Sequence, residues 1–159
     1  APVPFVERDA PAPAPPEPAA ETAPPAAEPA IAQLPPAPVL ETGVLDELRE
    51  IAGEEALSIV HLFLAETPRL IRRMEQASAT PDLDAMREAA HALKSSAANV
   101  GALALSAAAK RIELGARANA LDRPAVAVAL LIAEFARARV ALQGWLSASA
   151  GQSSSLLSR

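Results

Sequence analysis

Leu83-Asp84-Ala85-Met86-Arg87-Glu88-Ala89-Ala90-His91-Ala92-Leu93-Lys94-Ser95-Ser96-Ala97-Ala98-Asn99-Val100-Gly101 decides how the chain folds and where its chemistry sits. A helix advances by about 100° per residue, so Leu83, Met86, Ala90, Leu93 and Ala97 fall within roughly 40° of one line. These residues form a buried stripe. His91 stands about 120° away from that line, which places its imidazole in water. Lys94 follows at i+3, within side-chain reach of the histidine and between it and the stripe. Asn99 and Gly101 tolerate left-handed backbone angles and mark the end of the helix.

Upstream, Thr80-Pro81-Asp82 reads as a helix start, with a cap hydroxyl, a proline at the first helical position and acids in the first turn. A helix over about Glu54 to Ala79 precedes it, with Leu57, Val60, Leu64, Ile71 and Met74 facing the core. Pro68 inside that helix predicts a kink or a break. Val44, Leu45, Leu48 and Ile51 predict a short first helix ending near Gly53. Downstream, Leu105, Ala108 and Ile112 give a fourth helix to about Ala118. Asp122-Arg123-Pro124 opens a fifth helix through Leu131, Phe135, Leu142 and Trp145. Short connections make neighbours antiparallel. The expected fold is all-α: an up-down antiparallel four-helix bundle over residues 43–148, with a short extra N-terminal helix over one end.

Thirteen of the 16 prolines lie in residues 1–42, a Pro/Ala stretch without apolar periodicity, read as a flexible linker. Residues 149–159, rich in Ser, are expected to be a disordered tail. The linker holds six of the 19 acids and one of the 14 bases, so the other 13 acids and 13 bases cancel. A neutral domain with one Trp, three Phe and no Tyr lacks the basic stripe and stacking aromatics of a nucleic-acid binder. The absence of cysteine excludes disulfides, thiolate zinc sites and thiol catalysis. No apolar run approaches the ~20 residues that span a bilayer, and no signal peptide is evident. Opening within a Pro/Ala tract and without Met, the chain reads as a segment of a longer protein.

The spacing His91-x-Leu93-Lys94-x-Ser96, with Gly101 ten residues past the histidine, resembles the histidine-containing phosphotransfer (HPt) domain of bacterial phosphorelays. The similarity runs from about Val44 to Trp145 and includes the proline in the second helix. The resemblance implies that His91 takes a phosphoryl group from a receiver-domain aspartate and passes it to the receiver of a response regulator. It also implies that Glu113, where family members often carry Gln or Glu, accepts a hydrogen bond from the histidine ring and orients it. Ser95 is a departure, since most members have glycine directly after the lysine.

The residues themselves support that chemistry. Phosphoryl transfer depends mostly on positioning and charge stabilisation. An exposed imidazole with a pKa of about 6.5 is largely neutral at pH 7 and so a usable nucleophile. Lys94 would offset charge on the phosphoryl oxygens. Asp84, Arg87, Ser95 and Ala98 form an exposed row with His91, small past the histidine, that suits the approach of a receiver. The expectation is a carrier with no cofactor or metal of its own and no independent kinase activity, Mg²⁺ being supplied by the partner receiver.

Such a domain would be cytoplasmic and monomeric in isolation. It would form the terminal module of a hybrid sensor histidine kinase, itself able to lie at a membrane outside this segment. The alternative is a non-phosphorylated docking or dimerisation bundle. A histidine kinase's own phosphoacceptor segment fits poorly, because Ala92 and not an acid follows His91. A chemotaxis-type kinase's phosphotransfer domain stays open. His61 reads as a boundary packing residue, and Arg69, Arg72 and Arg73 as a solvated basic face.

Overall fold

Among the described residues the fold consists of five α-helices: α1 (Thr42–Ala52), α2 (Glu55–Ala79), α3 (Leu83–Asn99), α4 (Leu103–Arg117) and α5 (Pro124–Leu157). The computed structural model describes residues 36–157, with side chains described as far as Gln152. Residues 1–35 of the linker expected over residues 1–42 lie outside the described residues. Among the described residues there is no strand. Contacts run α2 to α3, α3 to α4, α4 to α5 and α5 back to α2, a closed ring of four helices, with α3 and α4 the most extensively packed pair. The fold is the expected all-α bundle.

Helical spacing sends one stripe of each helix inward. Val60, Phe63, Ile71 and Met74 of α2 meet Met86 and Leu93 of α3, Leu105 and Ile112 of α4, and Leu131, Phe135 and Leu142 of α5 in one core. Phe63 and Phe135 meet edge to face, with ring centroids 6.5 Å apart, a favoured aromatic geometry. Leu57 and Leu64, expected to point inward, are only half-buried because Ala56 and Phe63 take the inward positions. Buried alanines at Ala90 and Ala97 on α3 and at Ala108, Ala109 and Ala116 on α4 have little bulk to hold those two helices apart.

α1 lies at the end of the bundle where α2 begins and α3 meets α4. Leu45 is its one buried residue, and Arg49 Nη1 donates to Ser149 Oγ (3.3 Å) and Gln152 Oε1 (3.4 Å) on α5. Those contacts help explain why α5 continues to Leu157, past the disordered tail expected from residue 149. Ser149 is buried and hydrogen-bonded there, so loss of apolar spacing did not mean loss of helix. The other domain edge also moves. Leu40 packs against the core, Pro38 O accepts from Ala104 N (2.9 Å), and Glu41 N donates to Gly101 O (2.8 Å). The bundle therefore includes residues 36–42, which composition alone had assigned to the linker. The backbone of this segment serves the first turn of α4, whose own N-cap, Ala102, has no side-chain oxygen to offer.

Two further boundaries differ from expectation. Pro68 does not break α2, which is one helix through Ala79. Buried Thr67 Oγ1 bonds Phe63 O at 2.7 Å beside the proline. The cap of α3 is Asp82, whose Oδ1 accepts from Ala85 N (3.1 Å), and Thr80 Oγ1 instead turns back to Gln76 O at the end of α2 (3.3 Å).

The α3–α4 turn fixes the register of the two helices that matter most. Gly101 N donates to Ala98 O (3.1 Å) and Ala102 N to Ala97 O (2.9 Å), the paired bonds of a glycine-closed helix end. Gly101 has φ +77°, and a Cβ there would lie 2.5 Å from Glu41 O. Gly101→Ala combines backbone strain with a backbone clash, and should cost about 2 kcal/mol or more of stability. Urea denaturation checks this, and a variant as stable as the parent would show that the turn is not the constraint described.

Candidate functional site

His91 lies midway along α3 between buried Ala90 and buried Leu93 in sequence, so the core stripe that anchors the helix turns the imidazole outward. Its side chain is 60% exposed. Lys94, one turn on, is 31% exposed. Facing them from α4 is Glu113, one position past core residue Ile112. Its side chain is only 3% exposed.

These three side chains converge. His91 Nδ1 is 2.8 Å from Glu113 Oε1, and Lys94 Nζ is 2.6 Å from Glu113 Oε2. Ser106 Oγ donates to Lys94 O (2.9 Å), tying α4 to the same stretch of α3. Arg117, one turn past Glu113 on α4, places Nη2 3.2 Å from Oε1. Sequence reading did not single out Arg117. Its i+4 spacing from Glu113 was the available signal.

Electrostatics then decides which ring nitrogen is free. The Lys94 and His91 hydrogen bonds outweigh burial and lower the Glu113 pKa from 4.5 to about 2. An ionised carboxylate only accepts hydrogen bonds, so the proton shared with His91 belongs to Nδ1. The ring is 60% exposed, and Nε2 is the ring nitrogen that Glu113 does not engage.

The other expected residues fall as follows. Asp84, Ser95 and Ala98 are exposed and Arg87 is half-buried, in a row along α3 with His91. Arg87, Glu88, His91, Glu113 and Arg117 line an open cleft between α3 and α4. On the other flank of α3, a largely apolar groove is lined by Ile59, Leu62, Phe63, Ala92, Ser96 and Val100, among others. Exposed Arg73 pairs with Glu88 at 3.8 Å and Arg69 with Glu66 at 3.6 Å, as a solvated face would. His61 is exposed and not at a packing boundary, since the inward positions beside it belong to Val60 and Phe63. Among the described residues no three His, Asp or Glu side chains group as metal ligands would. None of the described helices is long and apolar enough to cross a membrane.

Together the fold and site define a helical bundle that displays an exposed histidine held by a buried carboxylate. The chain belongs to the Hpt domain family, whose model matches residues 58–145. Its structure is similar to the crystal structure of histidine-containing phosphotransfer protein B (HptB) from Pseudomonas aeruginosa PAO1. The TM-score is 0.67 at 28% identity, over 70% of this chain and 96% of that one. No curated protein sequence matches the chain. A role in histidine phosphotransfer within two-component signalling follows from the family.

The depressed pKa makes Glu113 a source of pH-dependent stability. The carboxylate is favoured in the folded state, so its stabilisation is present above pH 4.5 and is lost as pH falls through about 2. Glu113→Gln should flatten this part of the stability profile between about pH 5 and pH 2. Thermal melts of both proteins across that range test it, and parallel profiles would contradict the assignment.

Proposed function

We propose that this domain is a phosphorelay carrier in which His91 Nε2 accepts a phosphoryl group from a receiver-domain aspartate and passes it to the receiver of a response regulator. The observation that supports the proposal is the Nδ1–Glu113 contact at 2.8 Å, which occupies one ring nitrogen of a 60% exposed side chain and leaves Nε2 as the other. In the forward step the Nε2 lone pair forms the N–P bond as the aspartyl O–P bond breaks and the aspartate leaves as carboxylate. The Nδ1 proton stays between the ring and Glu113. The return step reverses these events on the second receiver. A docking module without phosphorylation would have no use for a buried carboxylate that fixes one tautomer of an exposed ring.

The receiver would seat over the α3 row of Asp84, Arg87, Ser95 and Ala98, whose small members leave room for its backbone near His91. Mg²⁺ would sit on the receiver. The domain holds no kinase activity of its own on this reading, works as a cytoplasmic monomer, and is tethered in a hybrid sensor kinase, where a linker raises effective concentration. Lys94 adds positive potential near the transferred group, a supporting effect, since partly exposed ion pairs contribute under about 1 kcal/mol.

Incubation with a phosphorylated receiver should transfer acid-labile, alkali-stable label to the parent protein, and His91→Gln should reduce it to background. Label retained at parent level in His91→Gln would refute the assignment.

A further inference from the structure

His91 stands between charges of two kinds. On α3, Lys94 lies about 60° round the helix from His91 on the side of α4, and Glu88 lies about 60° round on the side of α2. Lys94 is bound to Glu113, a buried carboxylate that also has His91 and Arg117 as partners. Glu88 is held far less. Its side chain is 64% exposed, and its ion pair to Arg73 of α2 is 3.8 Å long, beyond hydrogen-bond range.

The position of Glu88 bears directly on the histidine. It precedes His91 by three residues, so the two side chains are neighbours on the helix surface. Helical side chains lean towards the N-terminus, which carries the imidazole over the turn that holds Glu88. Glu88 also lines the same open cleft as His91. A loosely paired anion therefore borders a ring that is to receive an anionic group.

As a brace between helices the Arg73–Glu88 pair has little to offer. Both side chains are more than half exposed, and ion pairs in that setting contribute little. Phe63, Ile71 and Met74 of α2 already share one core with Met86 and Leu93 of α3. What the Glu88 carboxylate does act on is the charge of an approaching molecule. Charges at the rim of a contact set encounter rate and register, and their effect fades with salt.

We propose that Glu88 is a specificity-determining residue for phosphoryl transfer to His91: its carboxylate disfavours small anionic phosphodonors and favours a receiver that sets a basic side chain against it. This rests on His91 being the phosphoacceptor. Glu88 makes and breaks no bond. Discrimination of this kind works as much by repelling the wrong donor as by attracting the right one.

Two donors separate the readings. Phosphoramidate is a small anion that phosphorylates imidazole nitrogen, its own P–N bond breaking and ammonia leaving as the new N–P bond forms. At low ionic strength Glu88→Gln should take up the phosphoryl group about twofold faster than the parent. Arg73→Gln, which strips Glu88 of its cation, should be about twofold slower. Both differences should fade in about 0.5 M salt. With the phosphorylated receiver that labels the parent, the order should reverse: Glu88→Gln should lose about threefold in kcat/KM, mostly through KM, and Glu88→Asp should recover most of the loss.

Glu88→Gln and Arg73→Gln break the same ion pair, so a merely structural brace would shift both variants in one direction. That result would overturn the proposal, as would a phosphoramidate rate or a receiver kcat/KM in Glu88→Gln equal to the parent's. A parent protein that takes up no phosphoryl group on His91 from either donor would instead bring down the phosphoacceptor reading, and this proposal with it.

Discussion

A carboxylate placed inside a helical bundle must be paired, and Glu113 determines what surrounds it. Burial alone would push a carboxyl group towards its neutral form. The hydrogen bonds from Lys94 and His91 reverse that, and the carboxylate stays ionised to about pH 2. The same pairing gives the exposed imidazole a fixed tautomer and orientation. Stability and chemistry therefore depend on one contact: the ring is orientated because the acid cannot be left alone.

That contact spans two helices, so it is only as good as their register. Small residues along α3 and α4 permit close packing. The glycine-closed turn at Gly101 fixes how far α4 is shifted along α3, and Ser106 to Lys94 O pins the pair a few residues further on. The segment before α1 adds a third restraint. Glu41 N and Pro38 O bond the backbone of this same turn at 2.8 and 2.9 Å. A slip of one helical turn, about 5.4 Å, would carry Glu113 out of hydrogen-bond range of His91. Features distant from the histidine in sequence thus set its geometry.

Much of this was legible in the sequence because periodicity reports directly on burial. The stripe through Met86, Leu93 and Ala97 put His91 on the outer wall, and the structure keeps it there. The position of Glu113 beside Ile112 placed it near the α3 face only once the register of two helices was known, and spacing within one helix does not supply that. Arg117 was missed for a related reason: an exposed arginine has no pattern until its carboxylate partner is located. The edges of the domain were misjudged because composition is a poor guide where tertiary contacts decide. Pro38 to Glu41 are held by backbone bonds that any residue type could make. Residues 149–152 stay helical where Arg49 reaches across from α1.

A carrier has to release what it accepts, and the site's economy follows from that. Under the proposed role the phosphoryl group must move on to a second protein, so a cage of strong, fixed donors around Nε2 would hold it too well. Glu113 acts on the far nitrogen of the ring, where it fixes orientation without touching the transferred group. Ser95 and Ala98 leave the approach to Nε2 open. Arg117, 3.2 Å from Glu113, is held there on a side chain that is 60% exposed. On that role, most catalytic charge and the metal would come from the incoming receiver.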